Sequence, residues 1–255
     1  MKITQWARVA LSSVAFSLCL GTTAIAQNVP KLTGVVELFT SQGCSSCPPA
    51  DAALEEFIER DDILALSYHV DYWDYIGWKD TLATPKNTAR QYEYRKTFNA
   101  RSVYTPQAII NGQSHEVGSR SDSIREKLAS DAAQENSLSV PVTLAKNGNR
   151  ITVKVGEGSV PQAAGVKLMI VYFKTEAPVD IQQGENAGKK INYKNSVIDT
   201  EVLGMWDGMS MSVDIPINEI NAHDADGCAV LLQAITDENS PGTILGAAKL
   251  MKQKS

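Results

Sequence analysis

The chain has 255 residues, with 24 Lys and Arg against 29 Asp and Glu and a formal net charge of −5. A mildly acidic chain with no basic cluster has no global electrostatic reason to bind nucleic acid or an anionic membrane surface. Its length fits one large domain or two small ones, each able to bury a core.

Lys2 and Arg8 make a short basic start, the apolar run VALSSVAFSLCLG follows, and Ala24 and Ala26 supply an A-x-A site before Gln27. This predicts a signal peptide over residues 1–26 and an exported chain, periplasmic or secreted. The run is too short for a stable membrane span. Cleavage leaves Cys44, Cys47 and Cys228. An odd number excludes a simple staple framework, and disulfides persist outside the cytosol. One close pair with one distant cysteine reads as an active dithiol with a bystander.

LTGVVELFT reads as a buried strand. From Pro48 the apolar period becomes helical, through Ala50, Ala53, Leu54, Phe57 and Ile58, with Asp51, Glu55, Glu56 and Glu59 on the other side. DILALSYHV is a second strand, and the aromatic loop DYWDYIGWKD follows. Thr84 reads as an N-cap with Pro85 at the first helical position. PQAII and QSHEV, joined by Asn111-Gly112, read as a hairpin. A helix follows from about Ser121, with Ser123 and Glu126 as a capping box. After QENSLS the helical period disappears and short strand candidates succeed one another, from the hairpin SVPVTLA-KNGN-RITVKV to TILGAAKLM. These suggest a β-sandwich. The expected division is residues 27–135 and 136–255.

SQGCSSCPP places two cysteines where a strand hands over to a helix. A helix N-terminus carries unpaired N–H groups and partial positive charge, which lowers the pKa of a thiol there. Cys44 is then the attacking thiol, and Cys47, three residues on, resolves a mixed disulfide. A structural metal site needs four ligands, and His69, His115, His223 and Cys228 show no paired ligand spacing. A transient copper site on the two thiolates and one histidine stays open, as does an inert staple closing a very short loop. No cofactor is expected.

Strand, C-x-x-C at a helix start, strand, helix and then VYTPQAIING resembles the thioredoxin fold. In that superfamily a cis-proline faces the dithiol, so the resemblance implies that Thr105-Pro106 is cis and positions the substrate backbone. The superfamily also implies a buried acid near the dithiol, and Glu37 is the candidate proton acceptor. VVELFTSQGCSSCPPAD, YHVDYWDYIGWKD, VYTPQAIING and GENAG followed by INYKNSVID resemble more specifically a bacterial exported family, domain of unknown function 1223. That resemblance covers most of the mature chain and implies a thioredoxin-like fold. Gly43 stands where thioredoxins carry a tryptophan.

The aromatic loop packs between the two halves or grips a partner. Glu185 and Asn186, between glycines, shape a turn or dock on the dithiol face. His69 reads as a satisfied structural histidine and Cys228 as a buried thiol. The expected architecture is thus an α/β thioredoxin-like domain followed by an all-β, sandwich-like domain. The expected function is thiol–disulfide oxidoreduction on exported protein thiols or disulfides through Cys44-Ser-Ser-Cys47. The alternative is a non-enzymatic periplasmic module that binds copper or a protein.

Overall fold

The computed structural model describes residues 31–133, 138–162 and 164–252; the signal-peptide assignment lies outside them. In chain order the first elements are β1 (Gly34–Thr40), α1 (Pro48–Ile58), β2 (Ile63–His69), a 3-10 turn (Asp74–Ile76), α2 (Pro85–Thr97), β3 (Gln107–Ile110), β4 (Ser114–Val117) and α3 (Ser121–Ala133). Then come β5 (Val142–Asn147), β6 (Arg150–Val155), β7 (Gly165–Asp180), β8 (Lys190–Met205), β9 (Met211–Pro216), α4 (Asn218–Ala222), β10 (Gly227–Ile235) and β11 (Pro241–Met251).

Local chemistry explains most boundaries. The Thr84 hydroxyl accepts from the Asn87 amide at 3.1 Å and Pro85 opens α2, as the N-cap pattern requires. Asn111 and Gly112 turn β3 into β4 with φ of 52° and 68°, the left-handed pair of a tight turn, and Gln113 completes the loop between the paired Ile110 and Ser114. The capping box expected at Ser123 does not form. The helix already begins at Ser121, and the Ser123 hydroxyl donates instead to Glu116 at 2.8 Å.

The expected thioredoxin-like domain followed by an all-β domain is overturned by the sheet. Eight strands form one mixed sheet in the order β11-β10-β7-β8-β2-β1-β3-β4, and β5, β6 and β9 form a second, smaller one. β1 runs parallel to β2 and antiparallel to β3. The free edge of β2 is covered by β8, in parallel at Ser67 and Ser196. An uncovered edge strand invites mispairing, and a strand from the second half of the chain closes it. The runs VKLMIVYFK and KKINYKNSVI are parts of two 16-residue strands, β7 and β8, paired in one long hairpin.

The seam between halves is short and polar. The Ser67 hydroxyl donates to the Lys194 carbonyl at 2.9 Å, and Asn195 donates to the Ala65 carbonyl at 2.9 Å. Such bonds contribute about 1 kcal/mol each. The apolar layer above them contributes more. Leu64, Leu66 and Tyr68 of β2 share one core with Met169, Val171 and Phe173 of β7 and with Ala229 and Leu231 of β10. A fully buried residue of this size contributes roughly 1.5–3 kcal/mol. Packing, rather than the β2–β8 ladder, therefore joins the halves into one unit. A second core lies under α1 and α3, and a third lies between the large sheet and the three-stranded one.

Candidate functional site

The parallel strands β1 and β2 end side by side at Thr40 and His69, in register. Ligand and catalytic groups in sheets of this kind gather beyond the carboxyl ends of such strands. Cys44 and Cys47 lie in the loop that leaves β1 and are joined in a disulfide. Both are buried, at 2% and 0% exposure, while Ser45 and Ser46 between them are exposed.

Cys47 is the N-cap of α1, and its carbonyl accepts the Ala50 and Asp51 amides at 2.8 and 3.0 Å. Pro48 and Pro49 carry no N–H. The helix dipole still points at the disulfide, but the backbone donors nearest Cys44 in sequence are the amides of Ser45 and Ser46 rather than the first turn of the helix. The Ser45 amide donates to the Glu185 carboxylate at 3.3 Å. A negative charge thus shares the site where a Cys44 thiolate would form.

Thr105-Pro106 is cis, and the Thr105 carbonyl oxygen lies 3.7 Å from the Cys44 sulfur. The Trp73 indole N–H donates to the Thr105 hydroxyl at 2.7 Å. A side chain at Gly43 would meet Trp73 and Ile76 at 3.1 and 3.2 Å, which leaves no room there for the tryptophan of thioredoxins. The aromatic loop divides. Trp78 donates to the Gln42 side chain at 2.8 Å and faces Gly184, whereas Tyr75 is 80% exposed and stacks on Trp73.

Glu185 and Asn186 do more than shape a turn. Asn186 is fully buried, and its Nδ2 donates to the carbonyls of Gln42 and Cys44, both at 2.8 Å. Lys189 holds its Oδ1 at 2.7 Å. The second half of the chain therefore clamps the loop that carries the cysteines.

Glu37 is fully buried, and both of its oxygens are occupied. Arg90 donates to them at 2.7 and 3.0 Å, and the Tyr94 hydroxyl donates at 2.5 Å. The Arg90 guanidinium also reaches Gln233 at 3.0 Å. Burial pushes the Tyr94 hydroxyl well above the usual tyrosine range, with the neighbouring Glu37 carboxylate adding to it.

Three groups the sequence pattern did not single out as acids or bases lie beneath the dithiol loop. His69 Nδ1 meets Asp80 Oδ2 at 2.9 Å, and both residues are buried. The same Asp80 oxygen accepts the Gln42 amide at 2.8 Å, while its other oxygen caps Leu82 and Ala83. Asp51, on α1, accepts from the Thr40 hydroxyl at 2.7 Å through Oδ1, and its Oδ2 is sealed from solvent without a partner. Burial, opposed in part by His69, pushes the Asp51 carboxyl up to about 7. The signal for Asp51 was its place four residues after Cys47, on the same side of the helix.

Cys228 is buried in β10, and burial pushes its thiol up to about 12, as expected of an inert thiol. Asp199, Glu201 and His223 form a group of metal-type ligands among the described residues, and it contains neither Cys44 nor Cys47. No helix among the described residues is long and apolar enough to cross a membrane.

A structural-genomics crystal structure of a protein from Agrobacterium tumefaciens is similar to this chain at 41% identity, over 88% of this chain and 96% of that one, with a TM-score of 0.80. HBP35 of Porphyromonas gingivalis shares the fold alone, at 13% identity over 89% of this chain and 77% of that one, with a TM-score of 0.61. No curated protein matches the chain significantly. The model of the family described as protein of unknown function DUF1223 matches residues 35–233, most of the chain and all of the dithiol site, and the chain belongs to that family.

Proposed function

We propose that the protein is an exported thiol–disulfide oxidoreductase that acts on protein thiols or disulfides through Cys44 and Cys47. The observation that carries this reading is the contact between the Cys44 sulfur and the Thr105 carbonyl, beside a disulfide at the start of α1. A staple has no need of a strand-end backbone turned toward one of its sulfurs. An exchange centre does, because an extended substrate segment pairs with such backbone while its own sulfur is attacked.

The roles follow from position. Cys44 precedes the helix and receives its dipole, so its thiolate is the attacking group. Cys47 is fully buried and releases the mixed disulfide from inside. Thr105 and Pro106 hold the substrate backbone, and the exposed Tyr75 stacked on Trp73 offers an apolar platform beside them. Export, motivated by residues 1–26, places the dithiol where disulfides form and persist.

Exchange requires access to Cys44, which is buried in a loop that Asn186 holds by its backbone. A partner must displace that loop or arrive when it opens.

The test is trapping. Cys47→Ala protein, incubated with reduced-and-oxidised envelope extract, should accumulate mixed disulfides at Cys44 that dithiothreitol releases. Mixed disulfides on Cys44→Ala protein instead would reverse the roles, and none on either variant would contradict the reading. Copper bound stoichiometrically by reduced wild-type protein, with no trapping, would favour the binding-module alternative.

A further inference from the structure

We infer that Asp199, Glu201 and His223 form a binding site for one divalent transition-metal ion of the zinc class, where α4 packs against β8. This goes beyond the redox reading and does not depend on it, since neither Cys44 nor Cys47 belongs to the group.

The strands place the ligands. Asp199 and Glu201 are alternate residues of β8, so both project from the same side. They are in register with Tyr172 and Ile170 of β7, which belong to the core between the two sheets. Helix α4 joins the same core through Ile220, and His223 is its C-cap. The His223 imidazole lies nearly flat on the Tyr172 ring, with centroids 4.0 Å apart and 15° between the planes. The stack holds the imidazole between the two carboxylates. Nδ1 is 3.4 Å from Asp199 Oδ2, and Nε2 is 3.5 Å from Glu201 Oε1.

That spacing belongs to ligands rather than to hydrogen-bond partners. Charge-assisted bonds from an imidazole to a carboxylate close to about 2.7–2.9 Å. Zinc bonds of about 2.0–2.1 Å in a tetrahedral site put neighbouring ligand atoms about 3.3–3.4 Å apart. An imidazole gives an ion one nitrogen, so the ring keeps one carboxylate at ligand distance and the other closes in. One donor atom from each residue already lies within 4.8 Å of the other two, and Glu201, with its side chain 47% exposed, has room to rotate.

Asp199 is prepared for the task. Its Oδ1 accepts from Lys86 Nζ at 2.5 Å and from the Thr200 amide at 2.8 Å, which leaves Oδ2 turned to His223. Ligating carboxylates are oriented by outer partners in this way. Partial burial opposes its charge, but Lys86 and the Thr200 amide hold it below the usual carboxylate range.

An observation outside the three ligands also points to a cation. Tyr172 is 1% exposed, and its hydroxyl makes no hydrogen bond among the described residues. Burial pushes that hydroxyl well above the usual tyrosine range, and Glu201, Cys228, Glu219 and Asp199 add to the shift. Glu219, half-buried on α4, makes no ion pair among the described residues. Three carboxylates therefore act on one buried hydroxyl, and Lys86 answers only the far oxygen of one of them. Partly buried negative charge in such excess is costly until a cation joins it.

The donor set chooses the ion. An imidazole with carboxylates suits zinc and its neighbours, whereas magnesium and calcium take oxygen sets and copper(I) takes sulfur. Three protein ligands leave a fourth position for water on the solvent side. Bound there, the ion fastens α4 to β8.

The test uses the mature protein without an affinity tag, its disulfide intact so that Cys44 and Cys47 offer no thiolate, and zinc chloride as the probe. Isothermal titration at pH 7.5, after chelator treatment, should give one equivalent of zinc. His223→Ala and Glu201→Gln should each weaken binding by about a hundredfold or more, beyond the tenfold to hundredfold of losing an outer partner. His115→Ala, on β4, should bind as the wild type does. In the wild type itself, where no variant's folding enters, the His223 ring signals should move in a nitrogen–proton NMR spectrum with one equivalent of zinc, while those of His69 and His115 stay. No saturable binding, binding that survives His223→Ala, or shifts confined to His69 or His115 overturns the assignment, and each of these leaves the dithiol reading intact.

Discussion

Asn186 and Cys44 lie 142 positions apart, yet the Asn186 side chain donates to the Cys44 carbonyl at 2.8 Å from a fully buried position. One amide from the turn before β8 thus fixes the backbone of the cysteine loop. Its second bond, to Gln42, fixes the same loop two residues earlier. Asn186→Ala should free the loop and raise the rate of disulfide reduction by dithiothreitol several-fold. It should also lower stability by about 1–3 kcal/mol, because two buried carbonyls lose their donor. Stopped-flow reduction and thermal unfolding measure the two effects. An unchanged reduction rate would mean that the clamp does not control access.

Glu185 is the neighbouring test. Its carboxylate accepts the Ser45 amide, next to Cys44. Glu185→Gln keeps a side-chain oxygen to accept that amide and removes the charge, so the Cys44 thiolate should form at lower pH. Alkylation of the reduced protein with iodoacetamide near pH 7 should speed up by as much as about tenfold, one pKa unit. The gain should shrink in high salt, since Glu185 is exposed. A slower reaction would show that the carboxylate aids the thiolate.

Asp51 makes a prediction about stability and pH. In the unfolded chain it ionises near 4, and in the fold near 7. Between these values the folded state keeps a proton that the unfolded state has lost. Stability from this group is therefore fully present below about pH 4 and is lost as pH rises through about 7. The raised His69 pKa acts in the same direction, and the lowered Asp80 pKa acts only at acid pH, as its carboxylate takes up a proton. Asp51→Asn stays neutral. Its melting temperature should rise relative to wild type between pH 5 and pH 8.5, by on the order of a few degrees per kcal/mol. A constant difference across that range would mean that Asp51 ionises normally in the fold.

The shared sheet predicts what truncation does. A chain ending at Ala133 would lose β8 from the edge of β2, together with the β7 and β10 residues that complete the core over Leu64, Leu66 and Tyr68. It should be unfolded or aggregated, with an unprotected strand edge. Circular dichroism and gel filtration decide this. A cooperative monomer would restore the idea of two independent units.

What was legible in the sequence was local. The cysteine pair at a strand-to-helix transition, the Thr84 N-cap and the Asn111-Gly112 turn depend on neighbours within a few positions, and the structure holds each of them. The joining of the halves was not legible. Ser67 and Ser196 meet across 129 positions, and periodicity marks a strand without naming its partner. A run of strands after QENSLS therefore read as a separate sandwich. Asp51 was misread for the same reason. Helical spacing assigns it to the polar side of α1, but its carboxyl is buried there, near His69 of β2 and Tyr193 of β8, and that burial depends on segments far away in the chain. Glu37 was legible as a strand acid, whereas its ion pair with Arg90 needs α2 to lie over the sheet. The prolines after Cys47, by contrast, announced in the sequence itself that the first helical turn has few amides to offer.

The central claim, that Cys44 and Cys47 are an exchange centre rather than a staple, is tested most directly by their equilibrium reduction potential. Mature protein is equilibrated in dithiothreitol buffers of graded ratio, quenched with acid, alkylated and weighed intact, so that the reduced fraction is read from added mass. Alkylation is carried out in denaturant, so that the buried Cys228 reacts in every sample and serves as an internal mark. The account predicts a midpoint between about −120 and −270 mV, the range of thiol–disulfide oxidoreductases. A midpoint below about −300 mV, where structural disulfides of secreted proteins lie, would contradict it.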